Sequence, residues 1–130
     1  MISIETQLSI FLDNRPGMLA RTCQALAKER INILAMSISD TVDHAIIRMV
    51  VSDTKKAATL LQALQLPVHE RPVIFMDVPN APGSIAKIAE QLAEAGINIE
   101  YAYCTGSTSQ PTGHLVLRTN DIEATINVLS

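Results

Sequence analysis

Apolar and polar residues alternate from the start of the chain. Ile2, Ile4, Thr6, Leu8, Ile10 and Leu12 fall on one side, and Ser3, Glu5, Gln7 and Ser9 on the other. A period of two predicts a strand with one buried face. Asp13-Asn14 ends the alternation, and the period changes: Leu19, Cys23, Leu26 and Ala27 recur at helical spacing, so a helix is expected to about Glu29. Pro16 supplies a φ suited to the first turn of that helix, and Gly17 keeps the turn free of a side chain. A strand is expected over 31–39, another over 44–52, and then a helix with Ala57, Leu60, Leu61 and Leu64 on one face.

The chain then repeats this order. Asn14-Arg15-Pro16-Gly17 returns sixty-six residues later as Asn80-Ala81-Pro82-Gly83, and the match runs on through Ala20/Ala86, Leu26/Leu92, Ala27/Ala93, Ile31/Ile97, Asn32/Asn98 and Ile33/Ile99 without a gap. Such a period governs the fold. In the second copy Ile85, Ile88, Ala89, Leu92 and Ala93 form the helical stripe, and Gly96 is the expected left-handed stop. Arg30 holds the equivalent place in the first copy, so that helix must end differently or carry strain. The second copy's strands are expected over 97–104 and 114–119, and its last helix over 121–129 with Ile122, Ile126 and Leu129 inward. His44–Arg48 matches His114–Arg118 at a spacing of seventy, which makes 106–113 an inserted loop.

The expected division is residues 1–71 and 72–130. The first copy would be completed by Val68–Arg71, running through Pro72 into Val73–Val78. The second copy reaches Ser130 with no such strand. Something must cover the sheet edge this leaves: the Ile2–Thr6 half of the long first strand, or a partner subunit.

The order strand-helix-strand-strand-helix-strand, with Asn-x-Pro-Gly after the first strand and Ile-Asn-Ile after the first helix, resembles the ACT domain. That is a small regulatory module of amino-acid metabolism with a ferredoxin-like fold. The likeness covers essentially the whole chain as a tandem pair with no other domain attached. It departs from the family at Arg30 and in lacking a last strand in the second copy. The fold class this implies is α+β, two tandem ferredoxin-like βαββαβ units with antiparallel sheets and helices on one face.

The resemblance also implies that such units pair side by side, bind a free amino acid at the seam, and signal to a regulated enzyme partner, here as a homodimer. Its binding loops map onto Asp13, Asn14, Arg15, Pro16, Gly17, Met18 and Leu19, and onto Asn80, Ala81, Pro82, Gly83, Ser84 and Ile85. A helix N-terminus offers unpaired N–H groups and partial positive charge to an α-carboxylate. Proline lacks an N–H, so Gly17–Leu19 and Gly83–Ile85 are the expected donors. Asn14 and Asn80 could meet the ammonium through their side-chain oxygens, with Asp13 adding charge at the first loop. On either copy alone, Asn-x-Pro-Gly is equally a good strand-to-helix turn. Tyr101 and Tyr103 share a face with Ile97 and Ile99 by parity; they are either sheet packing or an aromatic wall for a ligand side chain.

Composition narrows the alternatives. The net charge is −3, with no basic stripe for nucleic acid and no apolar run long enough to span a bilayer. The N-terminus lacks the features of a signal peptide. Cys23 and Cys104 have neither metal nor redox spacing, so a reducing cytoplasm is expected. Cys23 falls in the apolar stripe of its helix. His44, His69 and His114 form no ligand spacing with the cysteines, and His44, Arg48, His114 and Arg118 read as a solvated or interface-facing strand side. Ferredoxin-like units also host acylphosphatases, but the chain shows no phosphate-cradling loop and no nucleophile with a base beside it. A non-catalytic protein without cofactor is expected, either a sensor or a ligand-free interaction module.

Overall fold

A computed structural model describes residues 1–40 and 43–130. The turn expected between the second and third strands of the first copy falls at residues 41–42, outside the described residues. The elements in chain order are β1 (Ile2–Asp13), α1 (Met18–Lys28), β2 (Ile33–Asp40), β3 (His44–Val51), α2 (Thr54–Ala63), β4 (Val68–Pro79), α3 (Ser84–Glu94), β5 (Ile99–Thr105), β6 (Thr112–Thr119) and α4 (Ile122–Leu129).

Two compact units emerge, one of Thr6–Arg71 and one of Met1–Glu5 with Pro72–Ser130. In the first unit the strand order is β2-β3-β1-β4. β3 is antiparallel to β1, with Leu8 opposite Met49 and Leu12 opposite Ala45. Leu8, Ile10, Leu12, Ile47 and Met49 meet Leu26 of α1 and Ala57, Ala58 and Leu61 of α2 in one core, so both helices cover the same face. On the other face Gln7 and Ser9 are also buried, and the Gln7 side-chain N–H donates to Ser9 Oγ at 3.2 Å.

In the second unit the order is β1-β4-β6-β5. Ile74, Val78, Leu115 and Leu117 pack against Ile88 and Leu92 of α3, with Ile2, Ile122 and Ile126 around them. No strand follows α4 among the described residues, and the N-terminal half of β1 takes the fourth position beside β4. Asp77 N–H donates to Met1 C=O at 3.0 Å, and Ser3 Oγ donates to Phe75 C=O at 3.4 Å. Residues 1–5 therefore group with the second unit, where a cut at residue 71 alone would leave them in the first. The cause is length: β1 and β4 are both twelve residues, long enough for each to serve one unit with each half.

Arg30 takes the left-handed conformation (φ 58°), as Gly96 does (φ 72°). Arg30 N–H donates to Ala27 C=O and Ile31 N–H to Leu26 C=O, both at 3.0 Å; the same pair recurs from Gly96 to Ala93 and from Ile97 to Leu92. Both helices thus close in the same two-bond cap. The first copy does so without glycine, and Lys56 Nζ adds a hydrogen bond to Glu29 C=O at 3.2 Å.

The parity expected for the tyrosines does not hold. A bulge between Ile99 and Tyr101 shifts the register, so Ile99 opposes Thr119 while Tyr101 opposes Arg118 and Tyr103 opposes Val116. Ile99 packs on the core beneath the helices. Tyr101 and Tyr103 lie on the opposite face, because one extra residue reverses every side chain after it. A matching shift sits between Ile33 and Ala35 in the first copy.

Candidate functional site

Both Asn-x-Pro-Gly loops have the same construction. Gly17 and Gly83 precede α1 and α3 with φ 88° and ψ −13° and −7°, and neither helix has a side-chain cap or an acidic residue in its first turn. A Cβ at either glycine would meet nothing within 4 Å. Glycine is demanded there by its backbone angle, and the space above it is open. The turn bonds correspond: Arg15 N–H to Asp13 C=O at 2.9 Å, Ala81 N–H to Pro79 C=O at 3.0 Å, and Ser84 N–H to Ala81 C=O at 3.3 Å. The first helical bonds come from Arg21 to Gly17 and from Lys87 to Gly83, both 3.0 Å. The N–H groups of Leu19 and Ala20, and of Ile85 and Ala86, lie ahead of those bonds and have no intrahelical acceptor.

The other two helices start differently. Asp53 accepts from Lys56 N–H at 3.1 Å, and Asp121 accepts from Ala124 N–H at 3.0 Å. Carboxylates thus fill the electropositive ends of α2 and α4. At α1 and α3 those ends are bare.

Of the two loops, the second stands in a cleft of about 430 Å³, lined by Asn80, Ala81, Ser84 and Ile85 with Val78, Cys104, Thr105 and Gly106–Thr108. Its far wall is the inserted loop. Asn80 ties the two walls together: its side-chain amide donates to Ser107 C=O at 2.6 Å and to Gln110 C=O at 3.0 Å, and its N–H donates to Pro111 C=O at 2.9 Å. Both amide hydrogens are thus used, leaving the side-chain oxygen as an acceptor. Gly113 closes the loop, where a Cβ would run into Thr105 C=O. The structure therefore brings together four of the six residues expected at the second loop. Thr105–Thr108 were missed because only the length of the insertion marks them. Tyr101 and Tyr103 do not line this cleft.

At the first loop Asp13, Asn14, Arg15, Pro16 and Gly17 are exposed, and Met18 and Leu19 pack partly against the core. Asp13 and Arg15 pair at 3.8 Å, and Asn14 N–H donates to Asp43 C=O at 3.3 Å. Asp13 also borders a cavity of about 570 Å³ lined by Phe11, His44, Ile46, Pro67 and His69, with Phe11 and His69 edge to face at 5.4 Å. The histidine of the second copy is placed differently: His114 stacks on Phe75 at 5.1 Å, and its Nδ1 lies 2.9 Å from Asp77 Oδ1.

Both cysteines are free, Cys104 exposed and Cys23 half-buried. Burial raises the Cys23 thiol pKa and keeps it protonated. Among the described residues no three His, Cys, Asp or Glu side chains form a metal-binding group, and no helix is long and apolar enough to cross a membrane.

A family model for an ACT domain pair matches residues 2–130. A protein of known crystal structure from Bacteroides thetaiotaomicron is 35% identical, with a TM-score of 0.91, over 98% of this chain and 88% of that one. The ligand-free regulatory subunit of aspartate kinase from Thermus thermophilus shares the fold at 16% identity and a TM-score of 0.69, over 98% and 93% of the two chains. A putative C-terminal regulatory domain of aspartate kinase from Porphyromonas gingivalis does so at 11% and 0.64, over 100% and 94%. No curated protein sequence matches the chain.

Proposed function

Because this chain belongs to the ACT domain pair family, we propose that it is a non-catalytic regulatory protein that binds a free amino acid and reports its presence to a partner, a regulated enzyme. One contrast carries the reading: α2 and α4 begin under an aspartate cap, whereas α1 and α3 begin at bare glycine turns. The open ends suit an α-carboxylate. The cleft beside Ser84 and Ile85 is the principal site, with N–H groups for the carboxylate and the Asn80 side-chain oxygen for the ammonium. The first loop is a second, inequivalent site, since Arg15 and Met18 replace Ala81 and Ser84. The working form is a homodimer, and two free cysteines suit the reducing cytoplasm. Regulation requires that the ligand bind one arrangement more tightly than another.

The test is a thermal-shift screen against free amino acids, run on the wild type and on Ser84→Asp. A ligand at about 100 times its Kd adds about 2.7 kcal/mol, a rise of several degrees for a chain of this size. Ser84→Asp places a carboxylate in the empty first turn of α3, which should leave the fold intact or slightly more stable while repelling the ligand. The expected result is one selective shift in the wild type, lost in Ser84→Asp. A flat wild-type screen, or a shift the variant keeps, would overturn the assignment.

A further inference from the structure

The helical layers of the two units carry opposite charge. In the first unit α1 and the turn after it expose Arg21, Lys28 and Arg30 against Glu29, and α2 exposes Lys55 and Lys56 against its cap Asp53, with Lys56 paired to Glu29 at 3.6 Å. In the second unit α3 exposes Glu90 and Glu94 against Lys87, and Asp121 and Glu123 are exposed at the start of α4. The reversal falls at two matched positions, while Arg21 and Lys87, also sixty-six residues apart, keep the same sign. The sixty-six-residue spacing aligns Lys28 with Glu94. The aspartate caps align α2 with α4, so Lys55 and Glu123 are each the second residue of their helix. The core positions below stay apolar, Leu26 with Leu92 and Leu61 with Leu129.

The basic layer is not uniformly polar. Half-buried Leu60 and Leu64 sit with Ala25 in a groove of about 440 Å³ bordered by Arg21 and Lys28. An adjoining groove of about 460 Å³ runs past Leu60 and Ala63 between Lys55 and Lys56. An apolar centre inside a charged rim is the anatomy of a protein interface.

We propose that the basic α1–α2 layer of one copy docks on the acidic α3–α4 layer of a second copy of this chain. Opposite layers attract and like layers repel, so the contact joins unlike surfaces. Helices of about ten residues are about 15 Å long, and a two-helix face of that length falls below the roughly 800 Å² per partner of a standard interface. The association is therefore weak and sensitive to salt. An acidic surface on another protein would satisfy the basic layer equally in sign. The second copy is favoured because the same chain places the complementary acid at the matched position. The contact is independent of the amino-acid site.

The test is sedimentation velocity on the full chain, as wild type, Lys28→Glu/Lys55→Glu and Glu94→Lys/Glu123→Lys. Raising salt from about 0.01 M to about 0.15 M shortens the screening length from about 30 Å to about 8 Å and should weaken wild-type self-association by about tenfold or more. Each double variant alone should lose that self-association while keeping its circular dichroism and melting midpoint. Mixed in equal amounts, the two variants should form a one-to-one complex, because the mixture still holds one basic α1–α2 layer and one acidic α3–α4 layer. Wild-type association unmoved by salt would overturn the proposal. So would a wild type that stays monomeric at low salt, or association lost only on reversing the basic layer. If a reversed variant melts early, Lys28→Gln/Lys55→Gln replaces it, with weakened association the expected result and unchanged association the overturning one.

Discussion

Arg30 shows how a single position can hold a conformation its side chain disfavours. It occupies the left-handed region at φ 58°, where a residue with a Cβ gives up roughly 1–2 kcal/mol, because the two cap bonds to Ala27 and Leu26 require it. Replacing it by the glycine of the second copy should relieve that strain. Allowing for glycine's greater freedom in the unfolded chain, Arg30→Gly is expected to raise stability by about 0.5–1 kcal/mol in urea melts, with the slope unchanged. Gly17 and Gly83 present the reverse case. Leucine or alanine there would strain the backbone whether or not a ligand binds, so loss of binding in such a variant would not by itself identify a site. Ser84, in ordinary helical geometry, is the cleaner position to alter. Asn80, expected to meet a ligand through its side-chain oxygen, has both amide hydrogens spent on the inserted loop, so the oxygen is the only side-chain atom it can offer. Nothing in a sequence reports where an amide group is already engaged.

The helices differ in how they begin, and this difference has a measurable sign. Asp53→Ala removes the cap of α2 and should cost about 1 kcal/mol in a denaturation curve, whereas Ser84→Asp at the uncapped α3 should cost nothing. The strands and helices themselves were legible: alternation over Ile2–Leu12, the stripe Ile88, Leu92, and the doubled Asn-x-Pro-Gly each predicted the element that is present. The bulges were not. Leu34 and Glu100 are unremarkable strand residues, and a bulge is set by how two strands register, which appears only once both are paired. That is why Tyr101 and Tyr103 were expected on the wrong face. The double use of β1 was only half visible. Ile2–Asp13 and Val68–Pro79 are equivalent at the sixty-six-residue spacing, but the match rests on apolar character at Ile2/Val68, Leu8/Ile74 and Leu12/Val78 and breaks at Ile4/Glu70.

For the chain as a whole, the organising fact is that the second unit is assembled from both ends of the chain, while the first is the continuous segment Thr6–Arg71. The second unit takes its fourth strand from residues 1–5 and the first takes its own from Val68–Arg71. Deleting residues 1–5 should therefore destabilise the second unit, removing Ile2 from its core and uncovering the β4 edge, a loss of about 2–5 kcal/mol by the measure of buried apolar truncation. Amide hydrogen exchange would locate it: protection should fall first in β4 to β6, far away in sequence from the deletion, and a uniform loss or none would count against this account.

A cut in the connection after α2, between Gln65 and Leu66, would leave two fragments of which neither owns a complete sheet. Each would carry as an overhang the strand the other lacks. Such fragments behave like two pages torn so that each keeps a line of the other's text: they should stay unfolded apart and regain structure only when mixed. A protein built this way can be switched on by bringing its halves together.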